Sequence, residues 1–289
     1  IEPPLHPENG EKIIKDFGMW PEIDVEEGWL EDDFDKYVEE AKVEFKDKTT
    51  NGCFAPWMMY KDDFISIGGH DPRFASARED SDVFNRLSLG GFELIQSWQS
   101  FVYHLTARGG QFQHGKVTKD ESQKSEEWQK LMNKSTREFF RKWGTPVLHN
   151  NLLKPIVPPK YDIGFVVKNC NEQILETLEP WCSTIYVDTF AQDYIDREQP
   201  NTTDNLNKKI YSIDTDVQND IEVRFDGSKL NNQNFNYLVQ LSRILANDKE
   251  LNGIEPEEFE LDIFEITINN LQTYEEELIT NENTMFNTN

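Results

Sequence analysis

Five carboxylates and two imidazoles stand within one short stretch of this chain. Ile67 to His104 reads IGGHDPRFASAREDSDVFNRLSLGGFELIQSWQSFVYH, with Glu79, Asp80 and Asp82 starting eight residues after Asp71. A carboxylate so placed can take a proton from a hydroxyl as a general base, and carboxylates with an imidazole can hold a divalent ion. Two adjacent carboxylates differ in proton affinity when one is shielded from water and the other is not. A plainer role is equally open, because acids at a helix start cap it and complement its dipole. His104 is either a metal ligand, since a neutral imidazole suits Mn²⁺, or a structural side chain at a strand end.

Spacing indicates the elements that must position these groups. Gly68-Gly69 make a turn ahead of His70 and Asp71. Val83, Phe84, Leu87 and Leu89 recur at helical spacing, which predicts a helix over 81–89 with the acids at its N-terminus and Asn85 and Arg86 facing elsewhere. Gly90-Gly91 stop that helix. Phe92–Ile95 and Ser100–Tyr103 read as strands, the second ending at His104.

In this order and context, Gly68, Gly69, Asp71, Glu79, Asp80, Asp82, Arg86, Gly91 and His104 resemble a known pattern. It is that of the second half of the catalytic domain of family 2-like glycosyltransferases with the GT-A fold: Gly-Gly-x-Asp, a gap, Glu-Asp-x-Asp, an apolar helix, Gly, a strand and a later His. The resemblance covers residues 1–115. It implies transfer of a sugar from a nucleotide-sugar donor to a hydroxyl on a glycan or other acceptor, with inversion. Asp80 would be the general base, with Glu79 beside it helping to hold the acceptor. Gly68 and Gly69 would let the backbone approach the sugar, Asp71 and Asp82 would lie on the substrate, and Asp82 could also cap the helix or orient Arg86. His104 would be a ligand of the implied divalent ion, Mn²⁺ or Mg²⁺. Arg108, in a polar Gly-rich run, either meets a diphosphate or is a surface cation. Trp57, in the apolar run Gly52–Tyr60, either stacks on a sugar ring or joins the core with Met58 and Met59.

The family's nucleotide-binding half, which ends in Asp-x-Asp after a strand, finds no counterpart ahead of Ile67, where the residues read mainly as loop and helix. Glu31-Asp32-Asp33-Phe34-Asp35 follows no buried strand and reads as a solvated helix start. The expectation is therefore a fragment that keeps the acceptor side and the base, its longer parent being the enzyme. The alternative is a non-catalytic glycan-binding or scaffold protein that retains half a transferase fold. A metal-dependent hydrolase built on Asp80, Asp82 and His104 would need a second carboxylate-His set, which the sequence does not offer.

Composition sets outer limits. The 289 residues suffice for two domains, and 37% hydrophobic with 12% aromatic residues suffices for real cores. A net charge of −25 argues against binding nucleic acid or an anionic membrane through the overall field. No apolar run reaches the roughly 18 residues of a membrane span, and no signal peptide is recognisable. Cys53, Cys170 and Cys182 are odd in number and scattered, which points to a reducing, cytoplasmic setting.

The remaining chain reads as helix, linker and a second domain. Helices are expected over 11–17, 26–45 and 121–143, the last with Lys134, Arg137, Arg141 and Lys142 placed as its dipole favours. The prolines of 152–160 mark a linker. Strands over 162–167 and 183–187 flank a helix over 171–178, a βαβ start that implies a parallel sheet. Further strands are expected over 209–213, 221–225 and 259–268, with a helix over 233–246. Asp188 ends a strand at the edge where α/β sheets bind ligands, and Asp214 and Asp216 follow another. The expected fold class is thus α/β: a partial GT-A-type domain (1–115), a helix and Pro-rich linker (116–159), a smaller α/β domain (160–280) and a disordered tail (281–289).

Overall fold

The computed structural model describes residues 1, 10–18, 30–53, 55–74, 77–104, 126–248, 251 and 256–279. The described residues form two compact units, one from Ile1–Asp63, Gly91–Met132 and His149–Ile156, the other from Phe64–Gly90, Asn133–Leu148 and Val157–Asn289.

The first unit is built on one helix and aromatic contacts. α1 (Glu31–Glu44) starts with Glu31, Asp32 and Asp33 in its first turn, where they complement the dipole and lie exposed. Residues 11–17 are not helical, and Phe17 is buried against the rings of Phe34, Tyr37 and Tyr103. β1 (Thr49–Thr50) and β2 (Gln96–Ser97) make a short antiparallel ladder, closed by Trp98 Nε1 donating to Thr50 Oγ1 at 3.0 Å. Residues 92–95 and 100–103 are irregular rather than strands. The run 55–60 is mostly open, and Met58, expected in the core, is 97% exposed.

The second unit is α/β. β3 (Ile163–Lys168), β4 (Thr184–Val187), β5 (Ile210–Ser212), β6 (Ile221–Asp226), β7 (Glu257–Leu261) and β8 (Phe264–Ile268) form a six-stranded sheet in the order β5-β4-β3-β6-β8-β7. The pairs β3–β4, β4–β5 and β3–β6 are parallel, as the βαβ pattern requires, while β6–β8 and β7–β8 are antiparallel. The sheet is therefore mixed. The expected single strand over 259–268 is a hairpin, because the chain reverses at Asp262, whose φ of 56° lies in the left-handed region that Asp tolerates.

Local chemistry explains the helices that flank the sheet. Asn171 Oδ1 accepts from Ile174 N at 2.9 Å and opens α5 (Glu172–Leu178). Asn231 and Asn234 form a reciprocal capping box at the start of α7 (Asn232–Asn247). β3 is buried along both faces up to Val167, and Phe165, Leu175, Ile185, Val223, Leu241 and Ile266 share its core. α2 (Lys61–Ser66), α3 (Glu79–Leu89), α4 (Glu126–Trp143), α6 (Gln192–Glu198) and α8 (Glu276–Ile279) complete the helices. Phe139 and Trp143 of α4 bury with Phe74 in a smaller cluster, beside the acidic start of α3.

Candidate functional site

The start of α3 is where the candidate carboxylates gather, and it is built with unusual backbone. Ala77 and Arg78 have φ of 64° and 71°, so two successive non-glycine residues sit in the left-handed region before the helix begins. Arg78 occupies the N-cap position and no side chain caps the helix, so Glu79, Asp80 and Asp82 lie in the first turn without capping it. Arg78 Nε donates to Thr136 Oγ1 at 3.3 Å, tying the turn to α4.

The four acids of the motif meet four different environments. Asp82 is fully buried. Its Oδ2 accepts from Arg86 Nε at 2.9 Å, and its Oδ1 accepts from Trp143 Nε1 at 3.0 Å with Lys142 Nζ 2.6 Å away. Asp71 is buried too, accepting from Lys142 Nζ at 2.8 Å and from its own neighbour's amide, Arg73 N, at 3.0 Å. Burial would push the Asp71 carboxyl up, but the Lys142 ammonium against it outweighs that and holds it below the usual carboxylate range. Glu79 is half-buried, with Oε2 enclosed and not hydrogen-bonded. Asp80 is exposed, and its Oδ1 accepts from the adjacent Ser81, from N at 2.6 Å and from Oγ at 3.2 Å.

Lys142 is the centre of this arrangement. One ammonium bridges two buried carboxylates, Arg86, which also donates to Ile67 O, pairs with Asp82, and Arg73 Nε lies 4.0 Å from Asp71. This network fixes the loop after Gly69 and the first turn of α3 against α4. Gly68 and Gly69, with φ of 90° and 65°, close α2: their amides donate to Ile65 O and Phe64 O at 2.9 Å each.

The other expected site residues belong to the first unit or lie outside the described residues. Trp57 (36% exposed) and His104, exposed and with its amide donating to Ile1 O at 2.9 Å, belong to the first unit. Arg108 and the Gly-rich run around it lie outside the described residues. Among the described residues no three His, Cys, Asp or Glu side chains are grouped to hold a metal ion. The implied Mn²⁺ or Mg²⁺ thus finds no ligand set among those residues.

Sequence reasoning missed what α4 does. The helix dipole accounts for the placement of its cations in sequence, yet Arg137, Arg141 and Lys142 are engaged by acidic side chains. Arg141 is enclosed by Glu138, Glu179 and Glu198, at 2.8, 2.6 and 2.6 Å, and Lys209 Nζ lies 2.9 Å from Glu179. Burial would raise Glu179, but Lys209 and Arg141 hold it down to about 2. Lys160, which donates to Arg141 O at 3.1 Å, is pushed down to about 8 by burial and by Lys209. The available signal is the spacing: Arg137 and Arg141 are four residues apart, alternating with the buried pair Phe139 and Trp143, also four apart.

Comparison with models of protein families, with curated proteins and with solved structures finds no match to this chain.

Proposed function

We propose that this chain serves glycosyl transfer, moving a sugar from a nucleotide-sugar donor to a hydroxyl acceptor with inversion, on a GT-A-like arrangement around α3. One observation carries the reading: within a single helical turn Asp82 is locked away and neutralised while Asp80 stays open to solvent on the same rigid support. A general base must reach the proton it removes, and it must not drift. Asp80 takes the proton from the acceptor hydroxyl as that oxygen bonds to the anomeric carbon, and the bond to the donor diphosphate breaks on the opposite face. Glu79, with an enclosed oxygen that is not hydrogen-bonded, helps to hold the acceptor. The charge on the departing diphosphate needs stabilisation, which a divalent ion commonly supplies in such reactions. Asp71, Asp82, Lys142 and Trp143 hold the support in place. Cys170 and Cys182 are buried thiols and Cys53 is buried, which supports work in a reducing compartment such as the cytoplasm.

A non-catalytic, glycan-binding reading is favoured by a separate observation, the open aromatic run in which Trp57 is 36% and Tyr60 82% exposed. Sugar transfer measured on the whole natural protein that carries this chain separates the two. Asp80→Asn is expected to lower kcat by about 10²–10⁴-fold with an unchanged melting temperature. Transfer at an undiminished rate in that variant removes Asp80 from the base role, and glycan binding without turnover by the parent selects the second reading.

A further inference from the structure

We infer that the cleft at the carboxyl ends of β4 and β5 is a binding site for an uncharged sugar ring. The cleft has a volume of about 360 Å³. It lies outside the carboxyl ends of two parallel strands, beside the switch point between β3 and β6, where the chain winds away in opposite directions. Ile213 N donates to Val187 O at 2.9 Å, carrying the strand pairing one residue beyond β5; past that bond the chain segments part and the cleft opens between them. Val187, Ile195 and Ile210 make an apolar floor.

The rim supplies what a sugar needs and little that suits a phosphate. Asp188 is held rigidly, Oδ2 accepting from Asn169 N at 2.6 Å and Oδ1 from Cys170 N at 2.9 Å. Each of its oxygens keeps a further lone pair for a ligand hydroxyl. Asp214 and Ser212, both exposed, also line the cleft. Two carboxylates and no Lys, Arg or His line the cleft, so a diphosphate would meet repulsion while hydroxyl donors would meet charged acceptors. Phe190 stands at the rim, 79% exposed. Its negative ring face suits the polarised C–H bonds on one side of a pyranose.

This site is separate from Asp80, and its test does not depend on transfer. The probe is a set of methyl glucosides, galactosides and N-acetylglucosaminides with their β-linked dimers, titrated into the ¹⁵N-labelled chain. At least one is expected to shift amides in 187–192 and 210–214 saturably. The affinity should hold at about 0.5 M salt, as it would not for a cation drawn to the acids. Phe190→Ala and Asp214→Asn, both at exposed positions, are expected to weaken binding about tenfold each. Asp80→Asn should bind as the parent chain does. A silent sugar set, shifts confined to other residues, salt-sensitive binding, full affinity in Phe190→Ala, or tighter binding of uridine or its diphosphate than of every sugar would each overturn the assignment. Undiminished transfer in Asp80→Asn with this binding intact would remove only the earlier proposal, and absent sugar binding with transfer lost in Asp80→Asn would remove only this one.

Discussion

Lys142 shows how much one side chain decides here. Its ammonium lies within 2.8 Å of Asp71 and 2.6 Å of Asp82, both buried, so removing it strands two enclosed carboxylates with Arg86 as the remaining close cation on Asp82. Lys142→Met is expected to cost about 3–5 kcal/mol, read as a lower denaturant midpoint, because breaking a buried pair leaves an uncompensated charge. A loss below about 1 kcal/mol would mean the carboxylates are already protonated or wet. Glu179 makes the pH dependence explicit. Its folded carboxyl is held at about 2 against an ordinary 4.5, so the unfolded chain binds its proton first as pH falls. Stability from this group is complete above about pH 5 and is lost on acidification toward pH 2. At about 1.4 kcal/mol per pH unit over that interval the loss is about 3 kcal/mol, measurable as a falling urea midpoint between pH 5 and 2 that Glu179→Gln should flatten.

At the scale of elements, β3 is the strand the second unit depends on. It pairs on both sides and is buried on both faces, which is why it reads as an unbroken apolar run. Gly164 within it is explained by one contact: a Cβ there would run into the side chain of Asn219, which donates to Asp162 Oδ1 at 2.7 Å and accepts from the Tyr186 hydroxyl at 3.2 Å. Gly164→Ala should therefore destabilise by about 1–3 kcal/mol, although alanine is the better strand former. An unchanged midpoint would show that Asn219 can move aside. The helices were legible to within a few residues where a cap and an apolar stripe coincided, as in α5 and α7. The hairpin of β7 and β8 was not, because its turn carries Asp262-Ile263 and lacks the Asn-Gly or Asp-Gly signal.

For the whole molecule the dominant quantity is a net charge of −25. The buried cations are matched to buried acids, so the excess negative charge lies toward solvent, where it repels itself and is screened by salt. Thermal stability is expected to rise as ionic strength increases from about 0.02 to 0.5 M, while the buried pairs, poorly screened, keep their contribution. A melting temperature that falls with salt would mean exposed ion pairs outweigh the repulsion. Among the described residues no helix is long and apolar enough to cross a membrane.

Local pattern was enough for the α/β class, the parallel core of the sheet and a helix over 81–89 with acids at its N-terminus, which the structure starts two residues earlier at Glu79, since each follows from periodicity and turn residues within a dozen positions. Which acid faces water was decided by contacts across the chain. Asp82 and Asp80 are two residues apart and chemically equal in sequence, yet Lys142 and Trp143, some sixty positions later, close over one and leave the other open. Charge burial depends on partners that only folding brings within 3 Å, and no local pattern encodes that distance.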